Sequence, residues 1–289
     1  PRSERVKSDE VTKYLRQKPN KHFLGTDFYA WVYLMAKPEK DNWWNNLKRR
    51  MGEEPVLLNM RDTERSASNL KLYLDSRGYY SSEVDFKVDT TYRRKRAKVA
   101  YSLKQGKPYH ISSISYDFRD AFLEPILLAD TVNTLLHSGE IFDISVLEAE
   151  RERIALYLRD RGYYNFTVNN VEYLADTLSG DRKVAVKVII KQNLTGYNVR
   201  GEAIYNNNVV YRLRHINVYP GYNAVLAKSR NDYFNRLDTL EYRGLNVMFR
   251  GKQPKVRPRV LRESIPLYPN YLYNYSQVSH TYSNLMSMG

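Results

Sequence analysis

The 289-residue chain contains no cysteine. That excludes thiol chemistry and cysteine-ligated zinc, and fits either a reducing compartment or a periplasm that does without disulfides. No apolar run approaches the roughly 18 residues a membrane-crossing helix needs. No signal peptide stands at Pro1, so the sequence reads as cytosolic or as a processed or trimmed piece of an exported protein. Catalytic motifs are missing as well: there is no HExxH, GxSxG, P-loop or GxGxxG. The histidines, His22, His110, His137, His215 and His280, lack metal-ligand spacing. Nothing selects a carboxylate pair. The expectation is therefore no enzyme, no cofactor and no metal.

Positive charge is plentiful, with 46 Lys/Arg against 32 Asp/Glu and a net charge of +14. This permits an acidic partner such as nucleic acid or anionic lipid without establishing one. The 26 tyrosines lean toward β-rich, surface-binding modules, because tyrosine joins a large apolar face to a polar tip.

The organising feature is a repeat. Leu72–Tyr80 (LYLDSRGYY) and Leu156–Tyr164 (LYLRDRGYY) match at an offset of 84 residues (156 − 72), and Val84 and Val168 follow in step. Each copy reads as the end of an amphipathic helix, stopped by a glycine in the left-handed conformation, with two tyrosines opening an extended segment. Length alone suggests about two domains. The period argues for three units, expected at 1–107, 108–192 and 193–289.

Along the chain, 1–60 is the least regular part. Asp9–Lys18 fits a short helix, Phe28–Met35 a buried strand or helix, and Trp43, Trp44 and Leu47 an amphipathic turn or two. Trp43–Trp44 reads as helix packing in preference to a ligand platform. Ser66 or Ser68 caps a helix presenting Ala67, Leu70, Tyr73 and Leu74. A strand over Tyr80–Asp89, a polar turn at Thr90–Arg96 and an alternating strand through Ala97–Leu103 come next. The second unit reads as strand Tyr109–Phe118, helix Glu124–His137, helix Val146–Arg161, strand Asn165–Leu174 and strand Lys183–Lys191. Asn193–Asn208 reads as a linker or inserted loop. In the third unit, Tyr211–Tyr219 opens, a hairpin lies near Tyr242–Phe249, and helices lie near Val260–Ile265 and Ser276–Met288. Thr281, Leu285 and Gly289 repeat the spacing of Thr131, Leu135 and Gly139, which would make the last helix the first of that unit and leave its closing strands outside the chain. Asp-Thr pairs at Asp89, Asp130, Asp176 and Asp238 read as turn and cap chemistry in preference to O-glycosylation sites.

The pattern L-Y-L-x-x-R-G-Y-Y, two strands, G-x-x-Y and a new strand resembles POTRA domains, the polypeptide-transport-associated modules. The matching segments are Leu70–Ile114, with Gly106 and Tyr109 at the junction, and Ile111–Gln192. Tyr211–Val218 and Tyr271–Gly289 resemble parts of a third copy. The whole resembles the periplasmic arm of a BamA/TamA-family outer-membrane assembly protein. Gln17–Asn20 and Gly52–Leu57 resemble its lipid-anchored TamA-like (TamL) subgroup. The resemblance implies an α+β fold of tandem β-α-α-β-β POTRA domains, each a three-stranded mixed sheet backed by two helices. It implies a periplasmic location attached to the outer membrane, with a C-terminal β-barrel in the same protein. Implied partners are that barrel, unfolded outer-membrane proteins, a TamB-like periplasmic protein and anionic lipid.

On this reading the strands after the two GYY turns are open edges that hold client or partner strands by β-augmentation. They comprise Val84, Phe86, Lys87 and Val88 in one copy, and Thr167, Asn169, Val171 and Tyr173 in the next. Gly78, Tyr79, Tyr80, Gly162, Tyr163, Tyr164, Gly106 and Tyr109 form the structural motif. Arg93–Arg96 reads as a solvated turn. Arg250, Lys252, Lys255, Arg257, Arg259 and Arg262 form a denser basic cluster, read as facing lipid head groups or a barrel-side partner. Two alternatives stand beside this: a basic nucleic-acid-binding module, against which count the missing GXXG loop and RNP1-like strand, and a cell-envelope scaffold with a fixed partner. Nucleic acid is not expected.

Overall fold

The computed structural model describes residues 6–21, 26–37, 42–93, 96–177, 181–229, 233–235 and 237–288. Two compact units emerge: Pro1–Ile111 with Gly139–Ser145 and Leu178–Val184, and Ser112–Ser138 with Val146–Thr177 and Ala185–Gly289. The class is α+β, as the resemblance implied; two sheets are three-stranded and mixed, whereas the first unit's sheet and the β6–β7 hairpin are two-stranded.

The first unit opens with α1 (Ser8–Val11) and a 3-10 turn over Thr12–Tyr14, so the expected helix to Lys18 stops early. Then come α2 (Phe28–Leu34), α3 (Trp43–Met51) and α4 (Met60–Ser76). The apolar stretch at Phe28 resolves as helix. α4 begins before either expected serine cap: Asn59 accepts from the Arg61 amide, and Ser66 lies inside the helix, donating to Asp62 O. Its buried face, Thr63, Ser66, Leu70, Tyr73 and Leu74, follows helical spacing. β1 (Glu83–Arg93) and β2 (Arg96–Lys104) pair antiparallel in a two-stranded sheet. β1 therefore continues through residues expected to form a turn. Val84, Phe86 and Val88 are half-buried and alternate with exposed Asp85 and Lys87, the period of a sheet covered on one side.

In the second unit, β3 (His110–Phe118) leads to α5 (Glu124–Leu128), then α6 (Ile144–Arg159). The single helix expected over Glu124–His137 is broken. A 3-10 turn covers Thr131–Asn133, and Leu135 and Leu136 lie in a loop where Glu150 accepts from Thr134 Oγ1 and the Leu135 amide. Glu150 is fully buried and paired with Arg153, which also reaches Asp130, so this polar knot satisfies backbone that a helix would otherwise have covered. β4 (Val171–Asp176) and β5 (Lys183–Ile190) follow. The sheet order is β3-β5-β4, with β5 antiparallel to β4. Hydrogen bonds from His110 N–H to Arg182 O and from Arg119 N–H to Ile190 O run in one sense, so β3 and β5 are parallel. Leu147, Ile154, Leu158, Phe166, Val171, Val186, Val188 and Ile190 are buried.

The expected linker is instead a hairpin, β6 (Asn193–Tyr197) with β7 (Ala203–Asn206), exposed throughout β7 and anchored at its base. There buried Asp120 accepts from both the backbone and the side-chain amide of Asn208, which also donates to Lys191 O.

The last stretch holds β8 (Asn217–Val218), α7 (Ala224–Ser229), β9 (Asp238–Tyr242), β10 (Leu245–Phe249), α8 (Pro258–Ser264) and α9 (Tyr275–Met286). β9 and β10 turn through Arg243 and Gly244, both at positive φ, as a two-residue hairpin requires. The order β8-β10-β9, with β8 parallel to β10, reproduces β3-β5-β4. Leu245, Val247, Leu261 and Ile265 are its buried core, with Ile216, Val218 and Leu285 against them. The hairpin here follows the short α7 but precedes α8 and α9, instead of following both helices. The expected alignment of the last helix is corrected accordingly. Tyr273 N–H donates to Tyr211 O, and Leu213 N–H to Tyr271 O, as Phe142 N–H donates to Tyr109 O and Ile111 N–H to Glu140 O. α9 therefore stands where α6 stands. The Thr-Leu-Gly spacing misled because Thr131 and Leu135 are not on one helix.

Candidate functional site

The two GYY turns have the same local geometry. Gly78 and Gly162 take φ of +86° and +100°. The amides of Tyr79 and Tyr163 close back on Leu74 O and Leu158 O. Tyr79 and Tyr163 are buried, so the first tyrosine of each pair anchors the turn. Each glycine carbonyl then accepts from the first residue of the next strand-opening segment, Tyr109 N–H and Tyr211 N–H, both at 2.9 or 2.8 Å. The second tyrosines meet the same residues edge-on: Tyr80 with Tyr109 at 5.2 Å, Tyr164 with Tyr211 at 5.7 Å. A Cβ on Gly78 would fall 2.6 Å from Phe142 O, and one on Gly162 2.7 Å from Val210 Cγ1. The polar clasp differs. Arg77 pairs with Asp143 at 2.9 Å, and Asp143 accepts from the Ser145 amide. In the later copy Asp160 itself accepts from the Ser276 amide and hydroxyl. Gly106 donates to Ser82 Oγ and lies too close to Ser81 for any side chain.

The turns deliver the chain to strands at sheet margins. Among the described residues no strand pairs with the outer side of β4. Its hydrogen-bond phase can be read from one bond: Lys191 N–H donates to Asn170 O, across the pair that continues the β4–β5 ladder. Narrow pairs therefore fall at 172/189 and 174/187, which turns the backbone groups of Tyr173 and Ala175 outward; the outward N–H of Val171 is taken by Val168 O, which closes the turn before the strand. Ala175 is exposed. Tyr173 lies under the Arg151 guanidinium, 5.5 Å from its ring, and burial pushes its hydroxyl pKa up. β3 is less open. Its first residues are covered by the chain itself, through Ile111 N–H to Glu140 O, Gly139 N–H to Ile111 O and Ser138 Oγ to Ser112 O.

Several expected site residues lie elsewhere. Thr167 and Asn169 are not on a strand. Thr167 caps a 3-10 turn over Val168–Asn170, its amide and hydroxyl both meeting Asn170 Oδ1. Val171 and Tyr173 are on β4; Val84, Phe86, Lys87 and Val88 are on β1. In the basic cluster Arg262 is only 7% exposed, stacked on Tyr268 at 4.1 Å and donating to Arg243 O and Leu267 O. It holds the fold together and leaves the cluster. Arg250 donates to Tyr233 O, Arg259 pairs with Glu263, and Lys252, Lys255 and Arg257 are exposed. Trp43 and Trp44 are exposed, so the packing expected of them does not occur. Arg94 and Lys95 lie outside the described residues. Sequence reasoning missed Ala175, whose only signal is its place in the ladder. Among the described residues no group of three or more His, Cys, Asp or Glu is placed to hold a metal ion, and no helix is long and apolar enough to cross a membrane.

The β-α-α-β-β segment with order β3-β5-β4 defines the class. Residues 109–193 match the POTRA family, described as surface antigen variable number repeat. Compared with solved structures, the chain is similar to POTRA3-5 of BamA from Haemophilus influenzae, at 14% identity and a TM-score of 0.43, over 98% of this chain and 81% of that one. It is also similar to the N-terminal domain of Omp85 from Thermosynechococcus elongatus (12% identity, TM-score 0.26, 82% and 75% covered). POTRA1-3 of Omp85 from Anabaena is a further likeness (10%, TM-score 0.25, 94% and 82%). Comparison with curated proteins gives no match.

Proposed function

We propose that the chain is the periplasmic POTRA arm of an outer-membrane assembly or translocation protein of the BamA/TamA type. In this reading 1–107, 108–192 and 193–289 are its successive units, and a β-barrel lies in the same protein. The arm holds extended segments of unfolded outer-membrane proteins, or of a TamB-like partner, by adding them to the margin of β4. One observation carries the reading: within the segment that matches the POTRA family, β4 turns the backbone groups of Tyr173 and Ala175 to the open side. Backbone pairing is indifferent to side-chain sequence, which suits a receptor for many clients. β1 offers a second such margin through Val84–Val88. The exposed basic residues Arg250, Lys252, Lys255, Arg257 and Arg259 face anionic lipid or a barrel-side partner in this scheme.

The test is Ala175→Pro, which removes an outward donor while leaving the β4–β5 ladder bonds in place. A photo-crosslinker at Leu174, whose side chain is exposed, should capture client or partner strands in the parent and lose them in the proline variant. Undiminished capture by a folded Ala175→Pro protein rejects this margin as the binding surface.

A further inference from the structure

The residues the fold accounts for least are in the helical pair α2–α3. α2 is apolar on every side. Ala30 is buried and Tyr29, Val32 and Tyr33 are half-buried, yet Trp31 and Leu34 stand 57% and 70% exposed and Met35, directly after the helix, is exposed too. α3 is inside out. Its buried residue is Asn45, which accepts from the Lys37 amide, whereas Trp43, Trp44 and Met51 face water, the two rings at 67% and 63%. An amphipathic helix on a soluble core normally shows the reverse. The arrangement is fixed by packing: Glu53 N–H donates to Tyr29 O, and a Cβ on Gly52 would sit 2.5 Å from Tyr33 N. At roughly 150–250 Å² per aromatic side chain, these exposures leave about 300–450 Å² of tryptophan surface in water. Exposed apolar area of that order, about 300–600 Å², is what the largest patch on a monomer reaches, and such patches are often functional.

We propose that the α2–α3 face is an interfacial membrane contact, seated among the head groups of an anionic lipid bilayer. The charge says which occupant fits. Residues 28–51 carry five cations, Lys37, Lys40, Lys48, Arg49 and Arg50, against Glu39 and Asp41, a net +3 (5 − 2). The described parts of both helices hold no carboxylate. Arg50 is exposed and seven residues from Trp43, on the same helical face, which sets a cation beside the exposed indole. Tryptophan beside arginine and lysine is the composition of bilayer interfaces. The proposal does not depend on the β4 margin and uses no residue of the Arg250 cluster.

The chain provides its own reporter, since its three tryptophans are Trp31, Trp43 and Trp44. Adding phosphatidylglycerol-containing vesicles to the whole chain should shift tryptophan emission to the blue, and brominated acyl chains should quench it. Leu34→Asp keeps all three fluorophores and should lower vesicle partitioning about tenfold or more. Lys48→Glu with Arg50→Glu should abolish the preference for anionic over neutral vesicles. Each variant should melt as the parent does. Absence of any shift with anionic vesicles at low salt overturns the proposal. So does a blue shift on concentrating lipid-free protein into a sedimenting dimer, which assigns the face to a second copy.

Discussion

Alanine at Gly78 and at Gly139 separates two costs that usually arrive together. Both glycines sit at φ +86°. An L-residue in that conformation costs about 1–2 kcal/mol, offset by about 0.4–1 kcal/mol because alanine also restricts the unfolded chain. At Gly139 a Cβ meets nothing within 4 Å, so Gly139→Ala should cost about 1 kcal/mol or less. At Gly78 the new methyl lies 2.6 Å from Phe142 O, a backbone atom with no rotamer to change. To make room, the Tyr109 N–H bond to Gly78 O and the Phe142 N–H bond to Tyr109 O must both lengthen, at about 0.5–1.5 kcal/mol each. Gly78→Ala should therefore lose about 3 kcal/mol, against about 1 for Gly139→Ala. Urea unfolding followed by circular dichroism measures the totals. Native-state hydrogen exchange at the Tyr109 and Phe142 amides localises the loss, with both losing protection in Gly78→Ala alone. Equal losses in the two variants, within about 0.5 kcal/mol, would refute the idea that the first turn is locked onto the following segment.

Arg262→Ala should destabilise by about 1–3 kcal/mol, since it strands the carbonyls of Arg243, Ile265 and Leu267; Arg257→Ala, at an exposed position, should be neutral in the same melts. Arg153→Met should cost about 3–5 kcal/mol by leaving the buried Glu150 and Asp130 without their cation, whereas Arg153→Met combined with Glu150→Gln should recover part of that loss. Tyr73 donates to Glu10, and burial with that bond raises its pKa from 10.0 to about 12. A raised folded-state value means the contribution is complete below pH 10 and is lost as pH climbs toward about 12. An alkaline step in tyrosinate absorbance with release of α1 should appear in that window and vanish in Tyr73→Phe.

How much of this was legible beforehand depended on whether the cause was local. The helix-stop glycines were readable because a left-handed residue after an apolar helical stripe has few occupants other than glycine. The alternation in Val84–Val88 and in β5 was readable because side-chain direction in a strand has period two. The end of the helix at Leu128 was not, since it depends on Glu150, far along the chain, capturing Thr134 and Leu135. Thr167 and Asn169 looked like strand until the Asn170 side chain closed a capping box that competes with extended backbone. Arg262 looked like surface charge because its partners are carbonyls, which no sequence pattern marks.

The amino-acid sequence by itself determined where the two glycine-stopped helices end, which strands have one covered face, and that a β-α-α-β-β unit exists. Only tertiary structure decided which backbone groups stay unpaired on β4, that the last hairpin precedes α8 and α9, and that the tryptophans of α2 and α3 face water. Periodicity records a residue's relation to its own neighbours. Edges, burial of a single arginine and the outward turn of a helix are set by segments distant in sequence.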